Sequence, residues 1–181
     1  MERGAAFDEP LWIERTQKRW GVKSPERIPQ ELSYIRGIGK VVRWCKDRGI
    51  KVLWVSKGGG EYCEEEGRIT LNRTTTNANQ LFTLLHECGH VKIGTPSRTA
   101  RFGMGYGVDH PPAEKTLHHR LDMLEEEFEA WWIGWRLGLQ LRVLTKGDKV
   151  SWDRYRTRAL KRYVDWTAKS WRKARRGQPG R

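Results

Sequence analysis

The chain has 181 residues, which suits one domain with appendages better than two full domains. A core of that size needs no disulfide staples, and the three cysteines, Cys45, Cys63 and Cys88, are odd in number and read as reduced thiols in a cytoplasmic protein. Net charge is +13, but residues 145–181 hold 13 Lys/Arg against 3 Asp/Glu, a net of +10, so the basicity belongs to the C-terminal segment. There is no apolar run of signal-peptide or membrane-spanning length, so neither secretion nor membrane insertion is expected.

Residues 1–36 read as an N-terminal arm: Leu11, Trp12, Ile13 and Trp20 suit a short helix, and Pro25 and Pro29 break the pattern. From 37 the spacing of Ile38, Val41, Val42 and Cys45 predicts a helix ending at Gly49. Ile50 to Val55 is a short β-branched run and reads as a strand. Gly58-Gly59-Gly60 is a turn, and Gly67 to Asn72 reads as a second strand that could pair with the first. Thr74 to Asn79 offers N-cap candidates for a helix over 81–93, stopped by Gly94 and Pro96. Residues 94–112 carry no periodicity and read as a long loop. A long helix is expected over 113–144, and a last one over about 152–174, with Trp152, Tyr155, Ala159, Tyr163 and Trp166 along one side and Arg/Lys along the other. Together these divide the chain into an arm (1–36), a domain (37–144) and a basic amphipathic helix with its tail (145–181).

The chemistry concentrates in His86-Glu87-Cys88-Gly89-His90. His86 and His90 are one helical turn apart and project from the same face, so the two imidazoles can hold one zinc ion. Glu87 falls beside the metal, where a general base for a metal-activated water belongs. Cys88 suits a small core residue better than a ligand, and Gly89 leaves room beside the metal.

A catalytic zinc wants a third protein ligand. A histidine six residues past His90 is excluded, because that position is Pro96. The acidic run Glu125-Glu126-Glu127-Phe128-Glu129 on the long helix is one source, and Trp131 and Trp132 directly after it imply burial nearby. His110, His118 and His119 are rivals, with His118 and His119 better suited to surface or substrate contacts.

The stretch Ile69-Thr70-Leu71-Asn72 and then Gln80 to His90 resembles the ImmA/IrrE family of metallopeptidases. Glu127-Phe128-Glu129-Ala130-Trp131-Trp132-Ile133-Gly134 is similar to that family's Glu-x-Glu-Ala-Asn-x-Phe-Ala segment, with Trp131 in place of Asn and Gly134 in place of Ala. The resemblance implies an α+β, gluzincin-like domain in which a short sheet packs on the HExxH helix beside a long second helix. It implies His86, His90 and Glu129 as ligands to one Zn2+ per chain, with Glu126 the alternate third ligand and Glu87 the catalytic base. It also implies cytoplasmic cleavage of a specific protein, often a DNA-binding repressor in that family.

Two rival readings stand beside it. An SprT-like peptidase would use His110 as third ligand and act on DNA-associated protein, which suits the basic tail, although Asp109-His110-Pro111 lacks the expected His-Gly. A non-catalytic zinc-containing regulator would use the tail for nucleic acid. In the glycine-rich loop, Tyr106 and His110 are candidates to stabilise an oxyanion.

Overall fold

The computed structural model describes residues 28–101 and 117–176, with side chains for 29–94 and 119–168. The fold is α+β, as expected: four helices and a three-stranded sheet. In chain order these are α1 (Ile28–Lys46), β1 (Lys51–Val55), β2 (Glu61–Cys63), β3 (Arg68–Asn72), α2 (Asn77–Arg101), α3 (Leu117–Gln140), a short 3-10 turn (Lys146–Asp148) and α4 (Lys149–Arg176).

α1 starts inside the segment expected to be an arm. Pro29 is its second residue, where a missing N–H costs nothing, so this proline opens the helix and does not break it. Tyr34 and Ile35 are buried, which makes residues 34–36 part of the core-forming helix. Asn77 ties the two helices together by donating its Nδ2 to Glu31 Oε2 at 2.9 Å.

β3 is the central strand. It pairs parallel with β1 and antiparallel with β2, and buries Ile69 and Leu71 in strict alternation. The chain must cross the end of β3 to reach β2. It does so through Gly58, Gly59 and Gly60, with φ of 71°, 93° and 85°. A Cβ on Gly59 would lie 2.6 Å from the Asn72 backbone nitrogen, so glycine is required there for both conformation and space. β2 itself, three residues long, escapes the period-two signal on which strand reading depends.

α2 is helical through Ile93, breaks at Gly94 (φ 66°, ψ 158°) and resumes to Arg101. Thr76 accepts the Asn79 N–H at its first turn. The loop expected from 94 is therefore helical to 101; Tyr106 and His110 lie outside the described residues.

α2 and α3 make the most extensive contact in the fold. They approach so closely that a Cβ on Gly89 would sit 2.1 Å from the Ala130 carbonyl oxygen, and one on Gly134 would sit 2.5 Å from that of Leu85. Gly89 thus serves the helix crossing, not free space beside a metal.

α4 is no appendage. Trp152 is 1% exposed and meets Phe82 and Trp131 edge-on at 5.3 and 5.2 Å. Among the described residues no helix is long and apolar enough to cross a membrane.

The helix crossing generates a prediction. Gly89→Ala should destabilise the fold by about 3 kcal/mol or prevent folding, because backbone must move to admit one methyl. Gly147→Ala, whose Cβ would meet only the Thr145 hydroxyl at 3.4 Å, should change stability by under about 1 kcal/mol. Urea unfolding of both variants checks this.

Candidate metal centre

The face that α3 turns toward α2 is set by its small residues. Ala130 and Gly134, one turn apart, touch the α2 backbone, and Leu137 continues the same buried face. Three and four residues before Ala130 are Glu127 and Glu126, which therefore also point at α2 and are 6% and 1% exposed. Glu129 lies about 100° round the helix from Ala130 and is half-buried, away from this face.

His86, His90 and Glu127 form a buried group whose ligand atoms all lie within 4.8 Å of one another. The two histidine Nε2 atoms are 3.3 Å apart. Glu127 presents Oε2 to His86 Nε2 at 3.2 Å and Oε1 to His90 Nε2 at 3.5 Å. Glu129, the third ligand implied by the resemblance, is not part of this group, and the correction is to Glu127. The reason is helical phase: of the two glutamates in Glu127-Phe128-Glu129-Ala130, only the first shares the face of the helix crossing. The signal was present in sequence as the small pair Ala130 and Gly134, which marks the face that contacts another helix.

Glu126, the alternate ligand, does something else. Its Oε1 accepts from His90 Nδ1 at 2.8 Å. That bond keeps the Nδ1 proton on the Glu126 side, so Nε2 is the nitrogen that faces the triad and could bind a metal once it loses its own proton. His86 is oriented differently. Trp131 stacks on its ring, with centroids 4.2 Å apart and planes 14° apart, while His86 Nδ1 has no hydrogen-bond partner among the described residues.

Glu87 is buried beside the group, with Oε1 3.9 Å from His86 Nε2. Burial pushes its carboxyl up, the two histidines and the backbone N–H of Tyr62 pull it down, and Glu127 pushes it up again; the net is a raised pKa. The Tyr62 bond comes from β2, the strand that sequence periodicity missed. Burial acts to lower the His90 imidazole, but its hydrogen bonds to Glu126 and Glu127 prevail and push it up to about 9. Burial acts to raise Glu127, yet the bonds from His86 and His90 hold it well below the usual carboxylate range.

The donor set fits a divalent cation. The two imidazole nitrogens stand 3.3 Å apart, near the roughly 3.3 Å between ligands of a tetrahedral zinc, and each faces a different oxygen of Glu127, at 3.2 and 3.5 Å. Of the other histidines, His110 lies outside the described residues. His119 is buried beside Trp166, with ring centroids 6.2 Å apart, and the side chain of His118 lies outside the described set. Cys88 is a fully buried core residue, its thiol pushed up by burial and by Cys45, whose sulfur lies 3.5 Å away.

The triad opens on a cavity of about 650 Å³, within the range of ligand sites. Gly59, Gly60 and Thr83 form one side of it and Tyr155, Arg158, Arg162 and Trp166 of α4 another.

A pH dependence follows from His90. Without metal its imidazole holds a proton up to about pH 9, and a metal must displace that proton. Metal affinity should therefore rise as pH increases from 6 to 9, and metal uptake at pH 7 should release about one proton or more. Calorimetric titration in buffers of different ionisation enthalpy measures that count; zero proton release would contradict the assignment of His90.

Compared with family models, curated proteins and solved structures, the chain matches none of them.

Proposed function

We propose that this chain is a zinc metallopeptidase of zincin-like fold and ImmA/IrrE type that cleaves a specific protein, with His86, His90 and Glu127 holding the metal and Glu87 as general base. The observation that carries the reading is the buried group of two imidazoles and one carboxylate whose ligand atoms lie within 4.8 Å of one another, with a second buried carboxylate, Glu87, beside it. The sequence likeness around His86 to His90 and Glu127 to Gly134 supports it independently of geometry.

A zinc ion at this position supplies Lewis acidity, polarising a peptide carbonyl and acidifying a water. The chain's residues do the rest. Glu127 and the two imidazoles neutralise and orient the cation, and Glu126 and Trp131 hold the imidazoles in place. Glu87 takes the proton of the attacking water and delivers it to the departing amine nitrogen. Burial raises its pKa in the metal-free chain, the direction that a general base working near neutrality needs. The Tyr62 N–H holds the carboxylate while it turns from base to acid. Cytoplasmic action belongs to the proposal on the odd cysteine count, and a DNA-binding repressor as substrate belongs to it on the resemblance alone.

Metal content by mass spectrometry tests the ligand set. Wild type should carry about one zinc per chain, His86→Ala and Glu127→Ala should lose it, and Glu129→Ala should keep it. Retention in Glu127→Ala with loss in Glu129→Ala would return the ligand to Glu129. Glu126→Gln should weaken zinc binding about tenfold without abolishing it, as expected for a partner that orients a ligand. Glu87→Gln should keep its zinc while peptide-bond hydrolysis falls by about a hundredfold or more; full activity in that variant would remove Glu87 from the mechanism.

A further inference from the structure

The cavity in front of the triad has two chemically different sides. One is the buried floor of His86, Glu87 and Glu127. The other is a wall from the basic helix α4, carrying Arg158 and Arg162 with Tyr155 and Trp166. The two arginines are one helical turn apart and share a face.

Several features make this wall more than a solvated basic surface. α4 is anchored on both sides of the arginines. Tyr155 hydroxyl is 2.8 Å from that of Thr83 on α2, and Arg120 of α3 donates to the Trp166 carbonyl at 2.7 Å. Three other cations of the helix are matched: Lys149 and Arg156 lie against Asp153, and Lys161 against Asp165. Arg158 and Arg162 pair with no carboxylate among the described residues, and Arg158 has only the face of Tyr155 at 6.0 Å. Each also lines a second, adjoining cavity, so the cationic wall extends past the triad in two directions.

We propose that Arg158 and Arg162 are specificity-determining residues that select peptides bearing Asp or Glu beside the bond to be cut. This rests on the metallopeptidase reading and names its substrate class. A guanidinium pairs a carboxylate through two parallel hydrogen bonds. A peptide bond seated at the floor therefore places an acidic neighbour against the wall, while a lysine or arginine there is repelled. Nucleic acid is the less favoured ligand, because the unmatched arginines, though exposed, line the same cavity as His86, Glu87 and Glu127.

Two probes that anchor on a metal separate the possibilities: succinyl hydroxamates carrying either Glu-Glu-amide or Gln-Gln-amide. Their binding to the zinc-loaded full chain is measured by calorimetry. The acidic probe should bind about tenfold tighter, the scale of two partly desolvated ion pairs. In the Arg158→Gln/Arg162→Gln variant that preference should fall below about twofold, whereas Lys161→Gln, whose partner is Asp165, should retain it. Both arginines are exposed, so the double variant should fold. Equal affinities in wild type overturn the inference while leaving the metal site intact, as does a preference that survives in the double variant. Failure of both probes to bind a zinc-loaded chain overturns the metallopeptidase reading and this one with it. Displacement of both probes alike by an eight-nucleotide thymidine oligomer, lost in the double variant, would reassign the wall to nucleic acid.

Discussion

The contact on which everything else depends is backbone against backbone, where α2 crosses α3 at Gly89 and Gly134. With no Cβ at either position, the Ala130 and Leu85 carbonyls come into contact range. That approach brings one turn of α3 close enough for a single carboxylate to reach two histidines of α2. The wedge of larger side chains that separates most packed helices at 8–10 Å would have moved Glu127 out of reach. The crossing costs the conformational freedom of two glycines inside helices. Burial of Leu81, Leu84, Leu85 and Leu137 in the core around it offsets that cost.

Three buried carboxylates so close together would be untenable alone, and their arrangement shows how the charge is managed. Glu127 is held ionised by the two histidines, Glu126 accepts from His90, and Glu87 is pushed toward its neutral form. Environment thus gives three chemically identical side chains distinct charge and partners, the division that the proposed reading assigns to holding a cation, orienting a ligand and moving a proton.

Much of this was legible in the sequence wherever a period was long enough to read. The HExxH helix, the strand ending at Asn72 and the long acidic helix each carry several turns or alternations. Where the period is short or the information is rotational, the reading missed. β2 has three residues, and its essential contribution, the Tyr62 N–H, is backbone and leaves no trace in residue type. Glu127 and Glu129 are equivalent as letters and differ only in helical phase, which Ala130 and Gly134 decide. The paired tryptophans illustrate the same point: Trp131 is 2% exposed and Trp132 is 53% exposed, although they are neighbours in sequence. The N-terminal boundary was misplaced because a proline at the start of a helix and one that ends a helix look alike until the helix is seen.

Trp131 stands at a junction whose meaning extends beyond packing. One face of the ring lies on His86, and Trp152 of α4 meets the same indole edge to face. His86, a ligand in the proposed site, and the C-terminal helix therefore share one aromatic stack, which would link their free energies once a metal is bound. Whatever draws α4 off the domain loosens the grip on His86, and by reciprocity an ion in the site tightens α4 against the domain. The basic helix and the metal centre then act as two ends of one thermodynamic coupling, with an indole as the connection.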